Sequence, residues 1–216
     1  HAANNPLALF RDVVTEEDVL HSPEIWPGVM TRLMACPPTC GAAAAIVCSA
    51  EFARRHGLDS GVRIAAQAMT TDRPVTFEAQ DMREVVGFGM AQVAARQVYE
   101  AAGIGPQDID VVELYDAFTY MLLITLEDLG FCGKGEGGAF VEDGTLRVGG
   151  ALPTNTDGGG LSACHPGQRG LFLLVEAAKQ LRGECGDRQV PDAEIACVSG
   201  TGGWFCSSGT MILGRS

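Results

Sequence analysis

Hydrophobic residues along the chain fall into two kinds of segment. Short apolar runs at 41–48 and 110–114 are typical of strands that are buried on both faces. The longer segment 90–103 repeats apolar residues every three or four positions, as does a helix with one face in the core. The pattern therefore predicts strands that alternate with helices.

Capping residues and glycines mark the ends of several predicted elements. Thr15 with Asp18 predicts a capping box at the start of a short helix, and Ser49 and Gly57 bound a second one. The predicted strands are 41–48, 62–69, 110–114, 194–198 and 210–213, and the longer predicted helices are 90–103, 118–129 and 168–181. A glycine-rich excursion is predicted at 133–150, with a mobile loop at 133–138. This order predicts an α/β fold with a mixed, mostly parallel sheet flanked by helices.

Composition and charge limit the class of function. The 216 residues are 46% hydrophobic, enough for one sizeable core or two small ones. A formal net charge of −12 argues against binding nucleic acid or an anionic membrane surface through net charge. The longest apolar stretches are too short to span a bilayer, and no signal peptide is visible. We therefore expect a soluble globular protein with no nucleic acid or membrane partner.

The cysteines bear on the cellular compartment and on metal binding. Eight cysteines lie within apolar segments, which favours reduced, mostly buried thiols and a cytoplasmic location. Cys36 and Cys40 are not followed by a second Cys or His pair at ligand spacing, so no metal site is predicted. The first residue is His1 rather than Met, which suggests a fragment, a processed product or one half of a split protein.

Two polar motifs are candidates for chemistry. His165 lies in a His-Pro pair between a run of glycines and an amphipathic helix. Small residues let backbone N–H groups approach a ligand, and a helix start favours negative charge, so this segment could hold and polarise an acyl group. Tyr115 and Asp116 follow the predicted strand 110–114, at the carboxyl end where ligands gather in such folds. We expect these motifs to form one site.

Five segments in register resemble the second half of thiolases, specifically the sterol-carrier-protein-x and lipid-transfer-protein branch. They read His-Ala-Ala-Asn-Asn-Pro at 1–6, Cys-Pro-Pro-Thr-Cys-Gly-Ala-Ala-Ala-Ala-Ile at 36–46, Asp-Val-Val-Glu-Leu-Tyr-Asp-Ala-Phe at 110–118, Gly-Gly-Gly-Leu-Ser-Ala-Cys-His-Pro at 158–166 and Gln-Leu-Arg-Gly-Glu at 180–184. The resemblance implies a layered thiolase-like fold. Residues 1–57 would be the end of the loop region and the last strand and helix of the amino-terminal half, and residues 58–216 the carboxy-terminal domain.

The same resemblance implies roles for individual residues. His165 matches the family histidine that activates a nucleophilic cysteine, which would lie upstream of this chain, and helps to hold the thioester oxygen. Tyr115 replaces the first residue of the motif that reads His-Asp-Cys-Phe or Asn-Glu-Ala-Phe in thiolases. A tyrosine there is similar to the steroid side-chain aldolases, which usually carry tyrosine at the His-Pro position as well, so the chain is a hybrid. Asp116 is expected to be an orienting or capping carboxylate rather than a base.

Further site residues are implied with less support from the motif. Gly200 falls where the family's Cys-x-Gly cysteine is expected, so Cys206, several residues later, is a candidate acid–base residue only by default. The glycines of the His-Pro loop and the arginine after it are candidates to contact acyl-CoA, namely Gly158, Gly159, Gly160 and Arg169.

Three functions are compatible with these residues. The first is a thiolase-type acyltransferase, such as an acetyl-CoA acetyltransferase, that makes or breaks a carbon–carbon bond of a β-ketoacyl-CoA in lipid or sterol metabolism. The second is a retro-aldolase of steroid degradation that cleaves a β-hydroxyacyl-CoA and needs an OB-fold subunit, with or without a zinc ribbon. The third is a non-catalytic acyl-CoA-binding or lipid-binding protein. The resemblance also implies a homodimer, with coenzyme A as substrate or product and no tightly bound cofactor.

Overall fold

Strands and helices alternate along most of the chain, as predicted. The computed structural model describes residues 1–58, 61–71, 89–203 and 206–216. The strands are β1 (Glu24–Trp26), β2 (Met30–Thr31), β3 (Val62–Thr71), β4 (Val111–Leu114), β5 (Ile195–Gly202) and β6 (Ser207–Arg215). The helices are α1 (Glu16–Leu20), α2 (Ala50–His56), α3 (Met90–Ala102), α4 (Thr119–Asp128), α5 (Gly137–Val141), α6 (Gly159–Ser162) and α7 (Arg169–Arg182).

Four of the strands form one mixed sheet in the order β3-β6-β5-β4. β4 and β5 pair in parallel, whereas the β5–β6 and β3–β6 pairings are antiparallel. The sheet is thus mixed, as predicted, but two of the three pairings among its described strands are antiparallel. The reason is that β5 and β6 are joined by a hairpin, and a short connection can join only antiparallel neighbours.

The β5–β6 hairpin also changes the predicted boundaries. Both strands are longer than expected, so most of the segment between the predicted strands 194–198 and 210–213 is also strand. Residues 204 and 205 of that segment lie outside the described residues.

Helices cover both faces of the sheet and produce the layered fold. On one face, Val111 packs in a buried cluster with Leu173 and Ala177 of α7. On the other face, Val112 packs with Val98 of α3 and with Leu126 and Leu129 of α4. Neighbouring residues of β4 point to opposite faces, so this short strand is buried on both sides. In the described part of the chain, no helix is both long and apolar enough to cross a membrane.

The predicted capping residues act as caps in the structure. Thr15 and Asp18 form the reciprocal capping box at the start of α1. The Ser49 side chain accepts a hydrogen bond from the Phe52 N–H at the start of α2, and Gly57 ends that helix in the left-handed conformation with φ of 62°. Local sequence therefore determined these helix ends correctly.

Three predictions from the sequence were wrong in whole or in part. Residues 41–48 form no strand, and Ile46 is 98% exposed. A strand needs a neighbour for its backbone hydrogen bonds, and no strand in the described ranges pairs with this segment. The thiols are free but not mostly buried, since only Cys185 and Cys197 are fully enclosed. The last two residues of the loop predicted at 133–138 are helical, because α5 begins at Gly137.

The proposed division of the chain at residues 57 and 58 stays a prediction. It coincides with the end of α2 at Gly57.

Candidate functional site

Tyr115 and His165 come together although they lie fifty residues apart in the chain. Tyr115 directly follows β4, and its N–H donates to the carbonyl of Ser199 in β5 at 3.0 Å, which anchors the backbone. The Tyr115 hydroxyl lies 3.4 Å from Nε2 of His165, and the two ring centroids are 5.3 Å apart at 45°. The structure thus joins the two predicted motifs at the carboxyl end of a parallel strand pair.

His165 is held by a segment that the sequence analysis did not assign to the site. Its N–H donates to Thr39 Oγ1 at 2.7 Å, and the Thr39 N–H donates back to the His165 carbonyl at 3.3 Å. The Thr39 hydroxyl also lies 3.4 Å from Sγ of Cys164. The resemblance of segment 36–46 to the family was the signal in the sequence that could have placed Thr39 near His165.

The imidazole of His165 is neutral near pH 7. Burial, assisted by the positive charge of Arg169, holds its pKa below the ordinary value for histidine. Its Nδ1 is buried and has no hydrogen-bond partner in the described part of the protein. A neutral imidazole can accept a proton, which is the state that a general base requires.

Tyr115 remains a protonated phenol. Burial raises its pKa, and the nearby Cys36 and Asp116 reinforce the effect. Cys36 reaches this position because its N–H donates to the Ala117 carbonyl at 2.9 Å. At neutral pH the Tyr115 hydroxyl can therefore donate a hydrogen bond but cannot act as a ready base.

Asp116 makes the hydrogen bonds expected of an orienting carboxylate. Its Oδ1 accepts from the Gly160 N–H at 2.6 Å and its Oδ2 from the Leu161 N–H at 3.4 Å, at the start of α6. Burial raises its pKa to about 6, although Arg169 and these N–H groups oppose the rise. Asp116 thus ties the end of β4 to the His-Pro loop.

The glycines of this loop do not offer their N–H groups to a ligand, contrary to the expectation from sequence. The N–H of Gly158 donates to the Asn155 carbonyl at 2.9 Å, that of Gly159 to Asp157 Oδ1 at 2.8 Å, and that of Gly160 to Asp116. These donors are satisfied inside the protein.

Two of the glycines instead make room for the site. A Cβ at residue 159 would lie 2.0 Å from Asp116 Oδ2, and one at residue 160 would lie 2.7 Å from His165 Nδ1. Residue 159 also has φ of 69°, a backbone conformation that favours glycine. Glycine is needed here because the site side chains approach the backbone closely.

Arg169 lies inside the protein rather than at a ligand surface. It is 1% exposed, and its Nη1 and Nη2 donate to the two carboxylate oxygens of Asp157, each at 2.7 Å. A buried guanidinium is held by such a bidentate pair and is not free to bind a phosphate of coenzyme A. Arg169 is therefore paired with Asp157 inside the protein, and its positive charge acts on His165.

Cys206 lies in the turn between β5 and β6, which follows the carboxyl end of β5 at the same edge of the sheet as Tyr115. A Cβ at Gly203 would come within 2.5 Å of its Sγ. No hydrogen bond or ring contact within the described residues joins Cys206 to Tyr115 or His165. Its role as an acid–base residue stays a prediction. The described residues include no group of three or more His, Cys, Asp or Glu side chains that could hold a metal ion.

Sequence reasoning missed a buried polar cluster beneath the site. Glu113, Thr156 and Glu176 are buried, and the Thr156 hydroxyl is hydrogen-bonded to both carboxyl groups. A charged residue inside the apolar run 110–114 was the signal that could have indicated it, because a carboxylate in a fully buried strand requires a partner.

Comparison with known proteins agrees with the fold and with the motifs. Residues 74–215 match the thiolase C-terminal domain-like family. The chain is 46% identical to sterol carrier protein 2 of Rattus norvegicus over 198 residues, which are 91% of this chain and 36% of that protein. It is 40% identical to an acetyl-CoA acetyltransferase of Methanothermobacter thermautotrophicus over 217 residues, covering 100% of this chain and 55% of that protein.

A solved structure supports the same relationship. The chain superposes over its full length on 55% of a chain of the Ltp2-ChsH2(DUF35) aldolase, with a TM-score of 0.80 and 28% sequence identity. The chain thus spans between about a third and just over half of the length of these relatives. From the family match and from the similarity to sterol carrier protein 2, we conclude that the chain belongs to the thiolase superfamily, as a member of the thiolase C-terminal domain-like family.

Proposed function

We propose that Tyr115 and His165 form the acid–base pair of a site that breaks a carbon–carbon bond in an acyl-CoA by retro-aldol cleavage of a β-hydroxyacyl-CoA. The observation that carries this proposal is the 3.4 Å approach of the Tyr115 hydroxyl to His165 Nε2. The two groups have pKa values displaced in opposite directions, so that one is a neutral base and the other a protonated donor.

The reaction assigns one step to each group. His165 Nε2 accepts the proton of the substrate's β-hydroxyl, the Cα–Cβ bond breaks, and Cβ becomes the carbonyl carbon of the released product. The electron pair of the broken bond forms the enolate of the thioester, whose oxygen accepts a hydrogen bond from Tyr115. The proton on His165 then returns to Cα and yields the shortened acyl-CoA.

The occupied glycine N–H groups support a role for Tyr115 as the oxyanion donor. Because glycines 158–160 donate within the protein, the enolate oxygen needs another donor from this chain. Loss of one such donor typically lowers kcat by about 10²–10³-fold. Tyr115 is therefore expected to act on kcat more than on substrate binding.

The proposed enzyme acts together with a second subunit. The related solved structure is named for a pair, Ltp2 with ChsH2(DUF35), which supports a DUF35-type partner here. The homodimer and acyl-CoA binding belong to the same proposal.

Thiolytic acyl transfer is the second candidate function. It is favoured by the 40% identity to an acetyl-CoA acetyltransferase and by the neutral His165, which could activate a cysteine thiol. The condensing step, however, needs an acid–base cysteine, and Cys206 makes no hydrogen bond or ring contact to the Tyr115–His165 pair within the described residues.

The experiment compares two substrates on the intact protein with any subunit that co-purifies. A steroid-type β-hydroxyacyl-CoA should be cleaved to a carbonyl product without added coenzyme A, as followed by mass spectrometry. Cleavage of acetoacetyl-CoA that requires free coenzyme A would instead support the thiolase. Binding of acyl-CoA without turnover of either substrate would overturn both and leave a non-catalytic acyl-CoA-binding protein.

Two pairs of variants test the assigned residues. Tyr115→Phe should lower kcat by about 10²-fold or more, whereas Tyr120→Phe keeps its ring stacked on Phe118 and should leave kcat unchanged.

His165→Ala should abolish turnover with the fold intact, and His21→Ala, at an exposed position, is its control. Unchanged activity in Tyr115→Phe or His165→Ala would exclude that residue from the site.

A further inference from the structure

Glu113 is a buried carboxyl group on the same face of β4 as Tyr115. Residues i and i+2 of a strand share a face, and Glu113 is fully buried there. Its Oε1 lies 2.8 Å from Thr156 Oγ1 and accepts the Thr156 N–H at 3.1 Å. Its Oε2 is buried without a hydrogen-bond partner in the described structure. All the hydrogen bonds of the Glu113 carboxyl group in the described structure are therefore made with Thr156.

The hydroxyl of Thr156 has too few hydrogens for its contacts. Its Oγ1 lies 2.8 Å from Glu113 Oε1 and 2.9 Å from Glu176 Oε1, and it accepts a hydrogen bond from Gln180 Nε2 at 2.9 Å. A hydroxyl donates one hydrogen and accepts two. The two contacts with carboxyl oxygens require two hydrogens, so one carboxyl group must supply the second.

The surrounding charges identify which carboxyl group carries the proton. Glu176 is ionised, because Nε and Nη2 of Arg188 donate to its two oxygens at 2.8 and 3.0 Å. Arg169 is committed to Asp157 in the same bidentate way. No arginine or lysine in the described ranges forms a salt bridge with Glu113.

The electrostatic surroundings agree with this assignment. Burial raises the pKa of Glu113 well above its usual value, and the negative charges of Asp157 and Glu176 raise it further. The charged and titratable groups that face it are Asp157 from the loop before α6, Glu176 and Arg169 from α7, and Cys185 and Arg188 from the segment after α7. Its neighbour across the sheet in β5 is the uncharged Val198.

We propose that Glu113 is a positioning residue that stays in its neutral carboxylic acid form in the folded protein, where it donates its proton to Thr156 Oγ1. Thr156 then donates to Glu176, so that the hydrogen-bonded chain joins β4 to α7. Thr156 directly precedes Asp157, whose carboxylate binds both Arg169 and the Gly159 N–H. The adjacent Gly160 packs closely against His165. The catalytic consequence rests on the proposed function, whereas the protonation does not.

Infrared difference spectroscopy tests the protonation directly. Subtracting the spectrum of Glu113→Gln from that of the wild type at pH 7 should leave one band of a protonated carboxyl group. Glu100→Gln, the same change at an exposed position of α3, should remove only a carboxylate band. Loss of a carboxylate band in Glu113→Gln would overturn the proposal.

The pH dependence of stability is a second test. Between the pKa of Glu113 in the unfolded chain and its higher pKa in the fold, the folded protein keeps a proton that the unfolded chain has lost, so wild-type stability falls as the pH rises. Glutamine does not ionise, so the melting temperature of Glu113→Gln relative to wild type should increase from pH 5 to pH 8. A difference that is constant or decreases over this range would contradict a neutral Glu113.

Thr156→Val provides a variant if Glu113→Gln does not fold. Removal of Oγ1 leaves the Glu113 proton without its acceptor, so the protonated carboxyl band should persist and shift to higher frequency. An unchanged band would show that the proton is not donated to Thr156.

The activity measurement separates this inference from the proposed function. Glu113→Gln should lower kcat with little change in KM and should alter the pH profile of kcat, because it disturbs the support of His165 rather than a substrate contact. If the wild type cleaves neither substrate, the proposed function fails while the infrared and stability results still decide the state of Glu113. Equal losses in kcat and in the melting temperature without a change in pH profile would indicate a merely structural role.

Discussion

Asp116 shows how surroundings, rather than residue type, set the chemistry of a side chain in this protein. It is 3% exposed, and its carboxylate accepts two backbone N–H groups at the start of α6. Both N–H groups and Arg169 favour the charged form, yet burial is the larger effect and raises its pKa to about 6. His165, a few ångströms away across Gly160, is shifted in the direction that keeps it neutral.

The pH dependence of stability should reveal this shift in Asp116. Between about pH 4 and the folded-state pKa of about 6, the fold keeps a proton that the unfolded chain has lost. This makes wild-type stability fall by up to about 3 kcal/mol over that window and no further above it. The free energy of unfolding of Asp116→Asn, relative to wild type, should therefore rise from pH 4 to pH 6 and then level off.

Chemical denaturation at several pH values would measure this difference. Asp12→Asn, at an exposed position, provides the baseline for a carboxylate that is not buried. A relative stability of Asp116→Asn that does not change between pH 4 and pH 6 would contradict the raised pKa.

At the scale of elements, the His-Pro loop joins β4, α6 and α7 through buried charges and close backbone contacts. Asp116 binds the start of α6, and Asp157 binds both the Gly159 N–H and Arg169 at the start of α7. The loop is therefore held from both sides, and its glycines are sites of close approach.

Gly160→Ala should displace His165 while the fold is kept. The added Cβ would lie 2.7 Å from His165 Nδ1 and 3.0 Å from Asp116 Oδ1, so one of these side chains must move. A displacement of this size can lower kcat by about 10²-fold. Gly170→Ala is the matched control, because a Cβ there meets nothing within 4 Å. Equal activity of the two variants would contradict the tight packing at residue 160.

Arg169→Met should destabilise the protein strongly. It leaves the buried Asp157 carboxylate without its cation, and breaking a buried pair in this way costs about 3–5 kcal/mol. Arg215→Met removes an exposed pair with Glu194 at 3.4 Å and should cost less than about 1 kcal/mol. Denaturant unfolding measures both, and similar losses in the two variants would contradict the structural role of Arg169.

At the scale of the whole molecule, many large apolar side chains are exposed. Ile46 is 98% exposed and Val47 72%, within the segment predicted as a buried strand, and Met69 of β3 is 79% exposed. Contiguous exposed apolar residues are a typical feature of association surfaces.

The chain produced by itself should therefore associate or aggregate. Sedimentation velocity should show species larger than the monomer, and Ile46→Ser combined with Val47→Ser should reduce them. Val13→Ser, at another exposed apolar position, is the control. A monomeric chain at all accessible concentrations would contradict this expectation.

Local signals were sufficient for most of the helices and strands. The ends of α1, α2, α3 and α7 were predictable because capping side chains and glycines act within a few residues of themselves. The strand at 41–48 was not, because the same apolar run needs a distant neighbour to become a strand. The mostly parallel pairing failed for the same reason, since direction depends on how β5 and β6 connect.

The chemistry of the site divides in a similar way. Residue types and spacing were enough to indicate His165, Tyr115 and Asp116 and to suggest a thiolase-like α/β chain, because these signals are local or rest on motifs. Contacts between distant segments decided the rest: that the glycine N–H groups are already satisfied, that Arg169 faces Asp157, and that Glu113 lies buried beneath Tyr115. Burial and hydrogen-bond partners arise only when segments far apart in the chain pack together, and they set the charge on each of these groups.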